Sequence, residues 1–410
     1  MARRTPLVCY DDERARLFEP FALTRPWSEM RVGALLVRER WAMATGAQAR
    51  GFMAGPHMQS FREAAAPKAV YGVLRAGTLV ANSRCAVSLD ACPEETRVYR
   101  CDGRVAAVRL SRDEPAAHFA DGTLTLERIA REHHPRVRGL VAGGTWCDEV
   151  WDVIRMLAAQ LADDIPRLAH AWHCVAADAD RRVTTSIIGG HPLWLEGDAY
   201  VEPHTVFDTT AGPVLLRAGS VVHAFTRITG PCVVGHGTIV SGGRIATSSV
   251  GDHCKVNGEL SSTVFVGHAN KGHDGFVGHS LLGRWVNLGA GTTTSNLKNT
   301  YGNVALWTPD GVRDTGLQFL GTLFGDHVKT GIGLRLTTGC VLGAGANVMD
   351  RMPPKSVEPF AWGSGAPYAT YDADKFLGTA QRVMSRRGIA LDDVMSQHLR
   401  AAHARRWTPG

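Results

Sequence analysis

His273 is the residue whose surroundings read most readily as chemistry. It stands in the stretch Asn270–Leu297, NKGHDGFVGHSLLGRWVNLGAGTTTSNL, just ahead of a Gly-rich run. A neutral imidazole, with a pKa of about 6.5, takes a proton from an amine or hydroxyl at neutral pH. The lone pair so released can attack an acyl thioester carbonyl. A carboxylate or amide would orient the acceptor, and backbone N–H groups of Gly-rich turns would support the oxyanion. Groups of these types recur at regular distances: Glu259 lies 14 residues before His273, Asn287 lies 14 after it, and Asn296 falls in the next polar loop. Two plainer readings stand beside this one. A histidine in a loop is commonly an ordinary surface side chain. His268, His273, His279 and Asp274 also cluster as metal ligands can. On a coil that turns every six residues, however, the three rings would point apart, and no H-x-x-x-H pair on a helix supports a metal.

The element that must position His273 is repetitive. From about Leu193 to Met349 the chain is rich in Gly and Val, with hardly any helical periodicity. Leu216, Val222, Ile228, Val234 and Val240 fall at intervals of six, and the beat returns at Leu282 and Leu288 and at Leu336, Leu342 and Val348. A small residue often follows the apolar one, as in V-G-H-G-T-I and L-G-A-G-A-N. This is the hexapeptide signature of a left-handed parallel β-helix, three faces to each triangular coil, with the apolar position pointing inward.

The flanking segments differ. Residues 1–184 read as a mixed α/β domain, with β-rich pieces at Leu7–Tyr10 and Val105–Leu110 between helical segments. Met30, Ala34, Val37 and Trp41 form one apolar stripe and predict a helix from near Ser28, with Arg31, Arg38 and Arg40 off the stripe. A second helical stretch runs from about Asp148 to Trp172, with Pro166 expected to break or start a helix. The β-helix is expected over 185–352. Residues 353–410 form a loop and a helical tail, a helix or helix pair from Asp372 to about Ala404 broken near Gly388. Such a tail could cap the last coil, whose open sheet end would otherwise invite aggregation.

Composition narrows the function classes. A chain of 410 residues with 44% hydrophobic content can bury two or three cores. A net charge of +6, with basic residues scattered, suits anionic small substrates and is no nucleic-acid signature. Nine cysteines without a C-x-x-C pair fit reduced thiols of a cytoplasmic protein better than a disulfide framework or zinc site. The N-terminus lacks the apolar core of a secretory signal, and no apolar run is long enough for a membrane span.

Residues 259–297 resemble the acyltransferase half of the bifunctional glucosamine-1-phosphate acetyltransferase/N-acetylglucosamine-1-phosphate uridylyltransferase family. The resemblance rests on Lys271-Gly272-His273 followed, without a gap, by Val286-Asn287-Leu288-Gly289-Ala290-Gly291-Thr292. It implies His273 as general base, Glu259 as the carboxylate on the amino sugar, Asn287 as a sugar-phosphate contact and Asn296 as the asparagine beside the reacting amine. Ala290 falls on an acetyl-CoA contact, with a second expected around Gly321-Thr322 beyond an insertion near Trp307–Asp314. Three positions depart from the family pattern: its phosphate-holding lysines become Ser261 and, near the second, Gly302, and its tyrosine becomes Phe276. Arg244, Lys271 or Lys298 are the candidate replacements. The resemblance also implies a homotrimer with acetyl-CoA bound between neighbours.

The N-terminal part is similar to a divergent bacterial branch of sugar nucleotidyltransferases, through Tyr10-Asp11-Asp12, the run Leu23-Thr24-Arg25-Pro26-Trp27-Ser28-Glu29-Met30-Arg31-Val32-Gly33, and Arg38-Glu39-Arg40-Trp41. N-K-G-H-D-G-F and S-N-L-K-N-T-Y-G fit the same branch. Nucleotidyl transfer needs donors around a triphosphate and a carboxylate for Mg²⁺. The Gly-rich loop usual after the first strand is absent. Arg25, Arg31 and Arg38 are therefore the expected phosphate contacts and Asp11 or Asp12 the expected metal ligands, beside the plainer reading of a solvated helix face and an ion-paired strand end. The combined expectation is acetyl transfer from acetyl-CoA to an amino-sugar phosphate, glucosamine 1-phosphate foremost, and transfer from UTP or dTTP to a sugar 1-phosphate. The alternatives are a nucleotidyltransferase whose β-helix only trimerises or regulates it, and a non-catalytic scaffold.

Overall fold

In a computed structural model describing residues 4–63, 65–177 and 185–408, the chain divides into two compact units. These are Met1–Val150 with Leu391–Arg405, and Trp151–Ala390 with Arg406–Gly410. The boundary expected at residue 184 lies outside the described residues.

The first unit is built on a seven-stranded mixed sheet. Its order is Leu140–Val141, Val98–Cys101, Arg104–Arg109, Leu79–Asn82, Pro6–Tyr10, Gln48–Met53, Lys68–Ala69. Pro6–Tyr10 runs parallel to both its neighbours. Leu7, Val8, Cys9 and Tyr10 are all buried, as a parallel strand covered on both faces requires. Helix α1 (Val37–Thr45) follows the first strand, and α2 (Leu126–His133) places Leu126 and Ile129 in a core with Val8, Val80, Val108 and Phe119.

The helix expected from Ser28 begins nine residues later. Met30, Ala34, Val37 and Trp41 are indeed buried. However, Trp27–Glu29 is a single 3-10 turn, and Arg31–Val32 pairs antiparallel with Leu35–Leu36. Gly33, at φ +64°, turns this hairpin in the left-handed region and interrupts the helical path. Helix α1 can start only after it, where the Glu39 carboxylate accepts the Leu36 N–H at 3.0 Å. The arginines expected on a solvated face are instead inside: Arg31 and Arg40 are buried, and Arg40 donates to the carbonyls of Val87 and Val32.

In the second unit, α3 (Asp152–Arg155) and α4 (Leu157–Ala171) precede the coils, and α4 packs against Val214–Leu216 and Cys232–Val234. Pro166 neither breaks nor starts a helix; it sits within α4. The six-residue beat then becomes a parallel β-helix. Leu216, Val222, Ile228, Val234 and Val240 are fully buried and share one core with Leu282, Leu288, Leu336, Leu342 and Val348. Each such side chain contributes about 1.5–3 kcal/mol by leaving water. Leu216 pairs with Val234 on a first, ten-stranded face, and Val222 with Val240 on a second face of five strands. Ile228 pairs with Ile245 on a third face of six. The beat is lost beyond Val240 because the coils shorten: Val234 pairs with Val250, and Val250 with Phe265.

Corners between faces need left-handed backbone. At the first-to-second corner Gly219 and Gly237 are succeeded by His253, His268, Trp285 and His327, all with φ between +55° and +68°. The rings pack against one another at a tilt, His253 to His268 at 5.0 Å and His268 to Trp285 at 4.5 Å. A hairpin, Ala305–Thr308 with Gly311–Asp314, occupies the expected insertion, so Leu282 pairs across it with Phe324. Helix α5 (Ala373–Ser385) inserts Phe376 against Phe360 and His327 near the end of the coils. Gly388, at φ +70°, separates it from α6 (Asp393–Ala404), which packs in the first unit, where His398 Nε2 meets the Thr24 carbonyl at 2.8 Å.

Candidate functional site

His273 stands at the turn between the second and third faces, between Asn270–Lys271 and Phe276–Gly278, with its side chain exposed. The turn is held from inside. Lys271 occupies an inward position, in register with Val256, and is 1% exposed. Its ammonium donates to the carbonyls of Asn257 (2.7 Å) and His273 (2.9 Å), stitching two successive corners. Burial pushes the Lys271 pKa down to about 8, against the pull of Asp274. Lys271 is thus committed to the scaffold beneath His273 and has no face toward a substrate phosphate.

The other expected residues fall into two groups. Asn287 forms a parallel bridge with Asn270 and accepts a 2.7 Å bond from the Asn270 amide. Both line one groove with His273. Glu259 lies on the third face, in register between Arg244 and Phe276, and its carboxylate is 3.6 Å from the Arg244 guanidinium. Asn296 is at a different corner, 2.8 Å from His279 Nδ1. That ring stacks on Phe319 at 5.2 Å, and burial lowers its pKa. His268, His273 and His279 therefore mark three different corners. Lys298 donates to the Asn303 carbonyl within the insertion, and the Ala290 carbonyl accepts the Gly333 N–H. Thr322 is fully buried, and a Cβ on Gly321 would lie 2.0 Å from the Gly278 carbonyl, so Gly321-Thr322 offers no surface to acetyl-CoA.

The groove has a second wall that the spacing of residues did not reveal. Thr379, Val383, Arg386 and Arg387, from α5 and the turn after it, face Lys255, Asn270, Asn287 and Lys329 of the second face across about 550 Å³. Lys329 donates to the carbonyls of Trp285 (2.6 Å) and His327 (3.0 Å), and burial pushes its pKa down to about 7. The signal was present but displaced. Lys255, Asn270, Asn287 and Lys329 each stand one residue before an inward position, a ladder visible only once coil lengths are known.

In the first unit the parallel strands end on a cleft, where ligands of open α/β sheets bind. Asp12, just past the first strand, takes Arg84 Nε and Nη2 (2.8–3.0 Å) and the Asn82 amide (2.8 Å). Against the desolvation that burial imposes, Arg84 holds the Asp12 carboxyl below its ordinary range. Arg84 also reaches Asp148, and Arg104 lies over the Trp146 ring at 4.1 Å. Arg14, Arg84 and Arg104 line a cavity of about 250 Å³ here. A second, apolar cavity of about 270 Å³ opens beside Met53, Gly55, Tyr71 and Phe119. The first cavity is charged but balanced, with Asp12, Glu13 and Glu127 in its lining beside the three arginines, and the second is apolar.

The arginines expected to serve there are elsewhere. Arg25 is clamped by Glu63 (2.8 and 3.3 Å), Arg38 by Glu29 (2.7 Å), and Arg31 donates to the Ala34 carbonyl. Asp11 is buried with one oxygen on the Trp27 N–H at 2.8 Å, and burial pushes its pKa up to about 6. With Asp12 taken by Arg84, the two carboxylates do not make a cation site. No group of three or more His, Cys, Asp or Glu side chains converges on one among the described residues. All nine cysteines are free thiols, and no helix of the described residues is long and apolar enough to cross a membrane.

Residues 7–171 match the family model for sugar nucleotidyl transferase. The chain is similar to the bifunctional protein GlmU of Jannaschia sp. (strain CCS1), at 26% identity over 220 residues, 50% of this chain and 47% of the relative. It is also similar to the bifunctional sugar-1-phosphate nucleotidylyltransferase/acetyltransferase of Sulfurisphaera tokodaii, at 31% identity over 90 residues, 22% of each protein. The chain thus spans about half the length of the first relative and under a quarter of the second.

Proposed function

We propose that the protein is a two-part sugar-phosphate transferase. The first unit transfers a nucleotidyl group from UTP or dTTP to a sugar 1-phosphate. The β-helix transfers an acetyl group from acetyl-CoA to the amine of an amino-sugar phosphate such as glucosamine 1-phosphate. The observation that carries the acyl-transfer half is the exposed imidazole of His273 on a turn pinned from within by Lys271, at one end of a groove floored by Asn287.

In the acetyl transfer, the acceptor amine attacks the thioester carbonyl while a nitrogen of His273 takes its proton. The N–C bond forms, the tetrahedral oxyanion collapses, the C–S bond breaks, and the imidazolium returns the proton to the departing thiolate. Asn287 and Glu259 hold the sugar from the two faces that meet at His273. Asn296 acts beside His279, its partner in the structure. In the nucleotidyl half, Arg14, Arg84 and Arg104 line the cleft at the strand ends, and would meet phosphates by exchanging the carboxylates of Glu149, Asp12 and Asp148 that pair them. Mg²⁺ bound with the nucleoside triphosphate would neutralise phosphate charge, and no step is assigned to a resident metal on Asp11 or Asp12.

Mass spectrometry of products from the full chain with acetyl-CoA, glucosamine 1-phosphate, UTP and Mg²⁺ tests both halves together. His273→Ala should lower kcat for acetylation about 10²–10⁴-fold and leave nucleotidyl transfer unchanged. Equal acetylation by wild type and variant would exclude His273 as the base. Nucleotidyl transfer without any acetylation would reduce the β-helix to assembly or regulation.

A further inference from the structure

We propose that the groove between the second face and α5 is an anion site holding the phosphate of the acetyl acceptor, anchored by Lys255, Arg386 and Arg387. This rests on the acyl-transfer reading above and says on which side of His273 the charged end of the acceptor lies.

The third face cannot supply that anchor. Arg244 there is paired with Glu259, and the outward positions beside them carry Ser261, Phe276 and Gly278, none of them charged. The second face presents the opposite picture. Its groove is lined by Lys255, Lys329, Arg386 and Arg387, with the rings of His268 and His273, and no carboxylate lines it. Among the described residues no carboxylate pairs with Lys255, Arg386 or Arg387. Like charges gathered around one concavity repel unless an anion joins them. Planar guanidinium groups match phosphate oxygens in pairs, and the Asn270 and Asn287 amides on the floor suit sugar hydroxyls. A volume of about 550 Å³ exceeds what a single phosphate fills and accommodates a sugar phosphate or the diphosphate of a nucleotide-activated amino sugar. The turn that carries the arginines, just after α5, is the chain's own, so the anion site needs no second subunit.

The test is titration of the full chain with inorganic pyrophosphate, read by the fluorescence of Trp285, which lines the groove. Trp285→Phe identifies that component among the ten tryptophans. Arg386→Gln/Arg387→Gln should raise the pyrophosphate Kd roughly tenfold or more. Lys375→Gln/Arg382→Gln, which removes the same charge from α5 outside the groove, should change it less than about twofold. With glucosamine 1-phosphate and with UDP-glucosamine as acceptors, the first variant should raise the acceptor KM similarly, with kcat largely kept. The acceptor whose KM rises more is the one whose phosphates occupy the groove. An equal Kd in both double variants overturns the anion site. A KM rise confined to acetyl-CoA overturns the acceptor assignment and gives the site to the donor's phosphates. If wild type acetylates neither acceptor, the acyl-transfer reading fails and the acceptor assignment with it, while the pyrophosphate titration still decides the anion site.

Discussion

Two buried charges show how differently the halves treat an ionisable group. Lys271 replaces the valine of the preceding coil and spends its ammonium on two corner carbonyls, so an amine that looks from sequence like a phosphate ligand serves the backbone under His273. Asp11 has the reverse character. It is buried beneath the first-strand end without a cation on it, and burial raises its pKa to about 6. A carboxyl whose folded pKa exceeds its unfolded value of about 3.9 binds its proton more tightly when folded. Its ionisation therefore costs nothing below about pH 4, and the cost grows through the folded pKa and is complete above it. Asp11→Asn, which keeps an acceptor for the Trp27 N–H, should raise the unfolding temperature relative to wild type at pH 7.5. The difference should shrink toward zero at pH 4.5. A constant difference by calorimetry at both values would mean that Asp11 does not titrate in this window. At this scale the sequence was legible for position, placing His273 in a turn between strands, where the structure exposes it. It misled where a charge was drawn inward, as with Arg25, Arg31 and Arg38, because no spacing rule distinguishes an arginine facing a ligand from one facing a glutamate or a backbone carbonyl.

Among the elements, the corners of the coil are where local and tertiary demands meet. A left-handed φ favours glycine, yet His253, His268, Trp285 and His327 hold it in the middle coils, each ring in contact with a neighbour's. A side chain in this region costs about 1–2 kcal/mol, and each ring contact returns about 0.5–1.5 kcal/mol. His268→Gly should thus change stability by less than about 1 kcal/mol, since relief of the backbone and loss of two ring contacts nearly cancel. His268→Val, β-branched and unable to stack, should destabilise by more than about 2 kcal/mol. Chemical denaturation with both variants checks the order, and a valine variant as stable as the glycine one would contradict it. The same balance explains what the hexapeptide pattern revealed. Inward apolar positions recur because every coil must fill one core. The coils of sixteen and fifteen residues that lead to Phe265 break the beat by closing corners sooner. The helix read from Met30 to Trp41 failed for a related reason: its stripe reports burial correctly, and one glycine turn lets a hairpin bury the same residues.

For the molecule as a whole, exposed apolar side chains are spread along the chain, and three of them belong to the last coils. Ile332 is 82% exposed, with Met349 and Met352 also exposed nearby in sequence. Ile332 stands between Gly331 and Gly333 as Ala290 stands between Gly289 and Gly291 one coil earlier. A trimer with acetyl-CoA between neighbours would bury this column. Ile332→Asp should then shift the mass measured by light scattering from trimer to monomer and raise the KM for acetyl-CoA. A wild-type monomer would remove the basis of both expectations. The change of composition near Leu193 marks where the coils begin, whereas the units divide at Val150/Trp151, ahead of α3 and α4. The return of α6 to the first unit was not legible in the sequence, because a helix shows which face is apolar and not which core receives it.

The hairpin between Leu282 and Phe324 lengthens the path between two paired strands without shifting their register. Length in this architecture is therefore absorbed sideways. A segment can grow or shrink at such a corner while every inward side chain keeps its layer, so the hairpin tip at Asp310–Gly311 is a natural port for a grafted peptide or reporter.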